Sequence, residues 1–211
     1  MSSLIDVGIL DHYPIWLGEH DDSAAHAAEH LSILEGLAAA EPLTATAKLT
    51  PNQKKQARSL IQNYLFKCEG HERTKHYSQH RPMTHLGDAP TLEWIADCSG
   101  YATGALYWAD NWTPGFKVED PNGLSYSGWG FTGTLLSRNF RHQVPLDRTF
   151  FVGDMGLYGP ASRTKHVVIC RKGGNISNSI WSSFGSERGP IPVRLGYRSD
   201  LLCVVRPRSL L

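Results

Sequence analysis

Long apolar runs are missing from this chain of 211 residues: no stretch of 18 or more apolar residues occurs, so no transmembrane helix is expected. The first residues, Met1-Ser2-Ser3-Leu4-Ile5-Asp6, lack a basic stretch followed by an apolar one, so no secretory signal is expected either. Cysteine is scarce. Cys68, Cys98, Cys170 and Cys203 are too few and too scattered for a disulfide framework in a chain this long. Reduced thiols are the expectation, with a Cys170–Cys203 bridge between neighbouring strands left open. Charge of one sign is also lacking: the formal net charge is +1, which supplies no footprint for nucleic acid or anionic lipid. Neither nucleic acid binding nor membrane insertion is expected. Internal repeats and low-complexity segments are absent. What remains, 41% hydrophobic and 19% charged residues, is the composition of a globular chain with one core of ordinary size.

Helices come first along the chain. Asp22 or Ser23 can cap a helix running from Ala24 to about Ala40, with Leu31, Leu34 and Leu37 at helical spacing. Thr50-Pro51 is a second helix start, Thr50 as N-cap and Pro51 at the first helical position. Ala57, Leu60, Ile61, Tyr64 and Leu65 then share one apolar face, up to about Cys68. Residues 69–92 are polar, rich in histidine and without periodicity. Residues 120–134 are dense in glycine and turn residues and read as loop. Short strands are expected at Thr149–Val152, His166–Arg171, Ile180–Phe184 and Leu201–Val205. Helices followed by strands, without βαβ alternation, predict an α+β fold with an antiparallel sheet. The expected division is a helical N-terminal extension over 1–70 and a main domain over 71–211.

The most informative segment is Asp97-Cys98-Ser99-Gly100, followed at once by a helical run, Tyr101 to Ala109. A cysteine in a first helical turn meets unpaired backbone N–H groups and the positive end of the helix dipole, both of which favour a thiolate. Such a thiolate is a usable nucleophile. It needs a base, and His166, which opens the apolar run His166-Val167-Val168-Ile169-Cys170, is the candidate. The N–H groups of Cys98 and Ser99 are candidates for holding an oxyanion. A lone cysteine in a helix is more often an inert core residue, and a lone histidine at a strand start more often a structural one. The weight lies in their joint order and context.

The segments "DCSGYATGALYWA", "GDMGLYG" with "KHVVI", and "FGSERGP" resemble the NlpC-type peptidoglycan cysteine peptidases of the papain-like superfamily. The loop "DPNGLSYSGWGFTGTLL" and the upstream "HYSQHRPM" are similar to the versions carried by actinobacterial bacteriophages. The resemblance spans about residues 75–206. It implies a papain-like fold, Cys98 as nucleophile, His166 as base, and Asp154 of "VGDM" as a structural turn residue. It makes Tyr77 a candidate for the tyrosine that hydrogen-bonds near the nucleophile. It implies cleavage of peptidoglycan stem peptides through a thioester acyl-enzyme, with no cofactor and no metal.

The chain departs from the pattern at the third catalytic position. Phage relatives carry a polar residue just before "GSExGP", and here Phe184 stands there. Phenylalanine has neither donor nor acceptor and cannot fix an imidazole tautomer. Ser182, or Asn178 on a shifted register, can substitute; a backbone carbonyl or a water can; or catalysis has been lost and a structural tail protein remains. Tyr126, Trp129 and Phe131, in and beside the glycine-rich loop, are candidates for lining a substrate cleft. Cys68, His71, His76, His80 and His85 lie close in sequence. Only His76-x₃-His80 has metal-ligand spacing, so a solvated loop is the favoured reading over a zinc site. The phage resemblance implies a virion-tail enzyme or an endolysin held in the host cytoplasm before lysis. Peptidoglycan is the expected partner, and other tail proteins are candidate partners through residues 1–70.

Overall fold

The computed structural model of the chain describes residues 48–161 and 164–211. The expected helix over Ala24–Ala40 lies outside them. The first helix described, α1 (Pro51–Gly70), starts where Thr50-Pro51 predicts. Gln53 donates its N–H to Thr50 Oγ1 and accepts the Thr50 N–H on its own side chain, at 3.3 and 2.8 Å, so two otherwise orphaned donors are satisfied reciprocally. Short strands β1 (Lys75–Tyr77) and β2 (Trp94–Ala96) pair in parallel and lead into α2 (Cys98–Trp112). Helix α3 (Thr132–Asn139) follows. Then come β3 (Met155–Tyr158), β4 (His166–Lys172), β5 (Ile180–Ser183), β6 (Ile191–Val193) and β7 (Leu201–Val205). These five form one antiparallel sheet in the order β6-β5-β4-β3-β7. The fold is α+β with an antiparallel sheet, as the order of helices and strands predicts.

Two expectations are corrected. The strand expected at Thr149–Val152 is displaced: Phe150 makes only an isolated bridge to Gly174, and the strand begins at Met155, after the turn at Gly153-Asp154. Asp154 explains the turn. Its buried carboxylate takes the Phe151 N–H and a bidentate Arg206 at 2.7 and 2.8 Å, which holds 151–154 in a loop. Helix α3 begins inside the stretch read as loop; at eight residues, with Gly133 in its first turn, it offers too little periodicity to be seen. Ile61, Tyr64 and Leu65 of α1 are buried in the same core cluster as Ala102, Ala105 and Leu106 of α2.

The sheet has two unlike faces. Met155 and Leu157 of β3, Val167 and Ile169 of β4, and Phe184 just after β5 face α1 and α2. Tyr158, Val168, Cys170, Trp181 and Val204 face the other way, under Val144, Phe150 and Leu195. All four cysteines are free. Cys170 and Cys203 sit on strands separated by β3 and pack into clusters on opposite faces, which rules out the bridge left open above. No helix among the described residues is long and apolar enough to cross a membrane.

Candidate functional site

Cys98 is the first residue of α2 and 4% exposed. Asp97 caps the helix: its Oδ1 accepts the Gly100 N–H at 2.7 Å and the Ser99 hydroxyl at 2.8 Å. Its Oδ2 is held by Arg81 Nη2 at 2.6 Å in a buried ion pair. Arg81 also donates to Ser99 Oγ at 2.9 Å and to the Gly130 carbonyl at 3.1 Å. One arginine therefore ties the cap of the cysteine helix to the glycine-rich loop. Met83 N–H donates to Gly128 O at 2.9 Å, and Gly128 has a φ of +85°, where a Cβ would also strike the Met83 backbone. Gly100 N–H is taken by the cap and Tyr101 N–H by the Asp97 carbonyl. Among the described residues the N–H groups of Cys98 and Ser99 have no acceptor, as expected in a first helical turn.

The Val167 N–H and the Tyr77 hydroxyl lie near enough to the thiol to favour its ionisation. Val167 is the neighbour of His166, so α2 and β4 meet at the end where His166 begins its strand. Burial dominates the thiol's acidity, and Asp97 adds to it; together they push Cys98 up to about 12 against the lowering by Val167, Tyr77 and Arg81. Burial and the carboxylate cap thus oppose the thiolate that a helix start by itself favours.

His166 is 7% exposed and projects to the face of the sheet that carries Tyr158 and Tyr197, with ring centroids 6.1 and 6.4 Å away. Burial, helped by Arg198, lowers its pKa to about 4, so the imidazole is neutral near pH 7. Its Nε2 is 3.0 Å from Ser183 Oγ, and Ser183 Oγ is 3.3 Å from the Tyr197 hydroxyl. Ser183 is the residue that sequence reasoning missed. Ser182 is turned to the opposite face, where its hydroxyl meets Tyr101 at 2.8 Å. Asn178 sits in the β4–β5 turn and accepts from Asn175 N–H at 2.8 Å. Neither orienting candidate is bonded to His166.

The register explains the swap. Val168 pairs with Ser183 and Cys170 with Trp181, but Lys172 pairs with Ile180: a bulge at Arg171 inserts one residue into β4. Continued without the bulge, the Lys172–Ile180 register would set Phe184 opposite Val168, on the face of His166. The bulge slips the pairing by one and puts Ser183 there instead. Phe184 goes to the inner face, packed edge-on against Tyr77, Trp94 and Tyr101 at 5.5–5.8 Å. No local pattern in the sequence announces a bulge. Arg81 carried no signal of its own beyond lying in the "HRPM" segment.

The cleft candidates separate. Trp129 lies on the loop pinned by Arg81 and Met83, between Gly128 and Gly130. Phe131 precedes α3, whose Thr132 hydroxyl donates to the Thr164 carbonyl at 2.8 Å, two residues before His166. Tyr77 packs its ring on Phe184, on the Cys98 side of the sheet. The Tyr126 ring stacks on Tyr107 at 4.5 Å and its hydroxyl donates inward to Val118 O at 2.8 Å, because Asp120 draws the loop around its own carboxylate. Tyr126 is part of the loop's packing. Among the described residues no three His, Cys, Asp or Glu side chains gather to hold a metal. His76 pairs with Glu93, His85 with Asp88, and Cys68 is buried on the core-facing side of α1.

No family model matches the chain, and no curated protein matches it in sequence. Among solved structures it is similar to the peptidoglycan hydrolase RipB of Mycobacterium tuberculosis, at 15% identity and a TM-score of 0.44, over 93% of this chain and 96% of that one.

Proposed function

We propose that the chain is a cysteine peptidase of the NlpC type, acting on the stem peptides of peptidoglycan. The observation that carries it is the meeting of the capped start of α2, which bears Cys98, with the end of β4, which bears His166; no hydrogen bond joins the two side chains at rest, and proton transfer between them requires the imidazole, held through Nε2 by Ser183, to turn toward sulfur. The substrate class rests on the motif resemblance around Cys98, His166 and "FGSERGP". With Ser183 Oγ accepting from Nε2–H and donating to Tyr197, Nδ1 carries the lone pair and is the base. Sγ attacks the amide carbonyl carbon while its proton passes to Nδ1, and the Cys98 and Ser99 N–H groups stabilise the oxyanion. The imidazolium then gives its proton to the leaving amine as the C–N bond breaks, leaving a thioester. Water, deprotonated by His166, cleaves the thioester, and the proton returns to sulfur. In this reading Trp129, Phe131 and Tyr77 are the residues that would line the cleft. In this reading the protein is phage-borne, a tail-tip hydrolase or an endolysin.

A second reading, a catalytically silent tail protein with the same fold, is favoured by one observation: no hydrogen bond joins the Cys98 thiol to His166, whose Nε2 is held by Ser183, and burial shifts both groups toward their neutral forms. Purified peptidoglycan separates the two. Wild type is expected to release new amino termini and Cys98→Ala none; equal release, or none from either, supports the silent fold. The shift of the thiol toward its neutral form also predicts that iodoacetamide labels Cys98 in the folded protein more slowly than a free thiol of pKa ~8.5 does at neutral pH. Fast labelling there would show a thiolate after all.

A further inference from the structure

The net charge of +1 conceals a division. Residues 1–47 hold eight of the 20 acidic residues and no lysine or arginine, whereas all 21 lysines and arginines lie from Lys48 onward. The N-terminal segment therefore carries a formal −8 and the rest of the chain +9. An imbalance of this size within one chain calls for a partner surface, and the described residues offer one.

At the end of the sheet remote from His166, a groove of about 520 Å³ is lined by Arg141, Val144, Pro145, Arg148, Phe151 and Arg206, among others. It is remote because β3 and β4 run from Met155 opposite Ile169, beside the groove, to Tyr158 opposite His166, at the site. Arg206 is neutralised by Asp154. Arg141 and Arg148 are exposed, and among the described residues neither has a carboxylate partner. By contrast, the arginines around the candidate site are taken: Arg81 by Asp97 and Arg198 by Asp200. The groove is also apolar, with Phe151 41% and Leu146 beside it 46% exposed. It offers cations and greasy surface together.

The chain passes close by. Arg58 of α1 donates to Leu210 O at 2.7 Å and lies over the Phe151 ring at 4.7 Å. Thr50 is only about 12 Å along the helix axis from Arg58, at 1.5 Å per residue. Residues 42–47, if extended, cover about 20 Å more. The acidic stretch from Glu19 to Glu41, which also carries Leu31, Leu34 and Leu37, can therefore reach the groove without strain. We infer that residues 19–41 of the same chain dock in the groove formed by Arg141, Arg148 and Phe151, carboxylates on the guanidinium groups and leucines on the apolar floor.

Hydrogen exchange on the full chain tests this. Residues 141–151 are expected to exchange several-fold more slowly in 20 mM salt than in 1 M salt, where the screening length falls to about 3 Å. The pair Arg141→Glu with Arg148→Glu is expected to abolish the low-salt protection. Adding Asp21→Arg with Asp22→Arg, which swaps the charges, is expected to restore it. Protection indifferent to salt and to the arginine pair overturns the inference, as does failure of the swap to restore it. Protection that rises with protein concentration also overturns it and makes a second copy of the chain the occupant. Because none of these residues belongs to the proposed site, peptidoglycan hydrolysis is expected to be unchanged in the Arg141→Glu, Arg148→Glu variant. Failure of the hydrolase reading leaves this measurement unaffected.

Discussion

The two faces of the sheet treat adjacent residues in opposite ways. On the inner face, Ser182 and Phe184 are absorbed into packing against α2: one hydroxyl satisfies buried Tyr101, and one ring fills a box of aromatics. On the outer face, Ser183 lies between an imidazole and a phenol, and nothing about its own burial requires that arrangement. The inner face is shaped by volume; the outer face, at this end, by hydrogen-bond direction. A polar residue in a strand is thus assigned to stability or to chemistry by parity alone.

That contrast can be broken in order of expected effect. Phe184→Ala leaves a cavity among Tyr77, Trp94 and Tyr101 and is expected to cost about 3–5 kcal/mol, read by urea unfolding. An unchanged midpoint would mean that Phe184 is not an inner-face residue. Acid acts on the outer face. Because the folded pKa of His166 is lowered from 6.5 to about 4, its contribution is fully present above pH 6.5 and is lost as pH falls towards 4. The loss is about 3 kcal/mol by the size of the shift. It is expected to vanish in His166→Gln, so parallel stability curves for the two proteins between pH 7 and 4 would refute the buried neutral imidazole.

Ser183→Ala is expected to lower kcat about 10- to 100-fold, by freeing the tautomer, with little change in KM. Its acid limb is expected to move towards the pH of an unrestrained imidazole, a shift that a merely structural role would not produce. Ser182→Ala is the control: it strands the Tyr101 hydroxyl and is expected to cost about 1–2 kcal/mol of stability while leaving kcat and its pH profile in place. If Ser182→Ala lowers kcat and Ser183→Ala does not, the register described above is wrong.

Much was legible beforehand because it depends on local chemistry. Thr50-Pro51 starts a helix since a hydroxyl cap and a fixed φ act within one turn, and Cys98 opens one since Asp97 caps it. The runs at His166 and Leu201 are strands because their apolar, β-branched content suits a buried sheet. The acidity of Cys98 was not legible, because burial and the Arg81–Asp97 pair come from segments 16 residues apart in sequence. Nor was the place of Tyr126, since a ring in a glycine-rich loop looks exposed until Asp120 gathers the backbone around it.

By itself, then, the sequence determined the order of helices and strands, the capped cysteine, the candidate histidine and the separation of acidic from basic residues. These follow from propensity, capping and composition, which act locally. Tertiary structure alone decided which serine meets the histidine, where Phe184 goes, that burial works against ionisation of the thiol and that α1 packs into the core. Each of those depends on a register, a burial or a contact between distant segments, and one bulged residue at Arg171 suffices to exchange a phenylalanine for a serine beside His166.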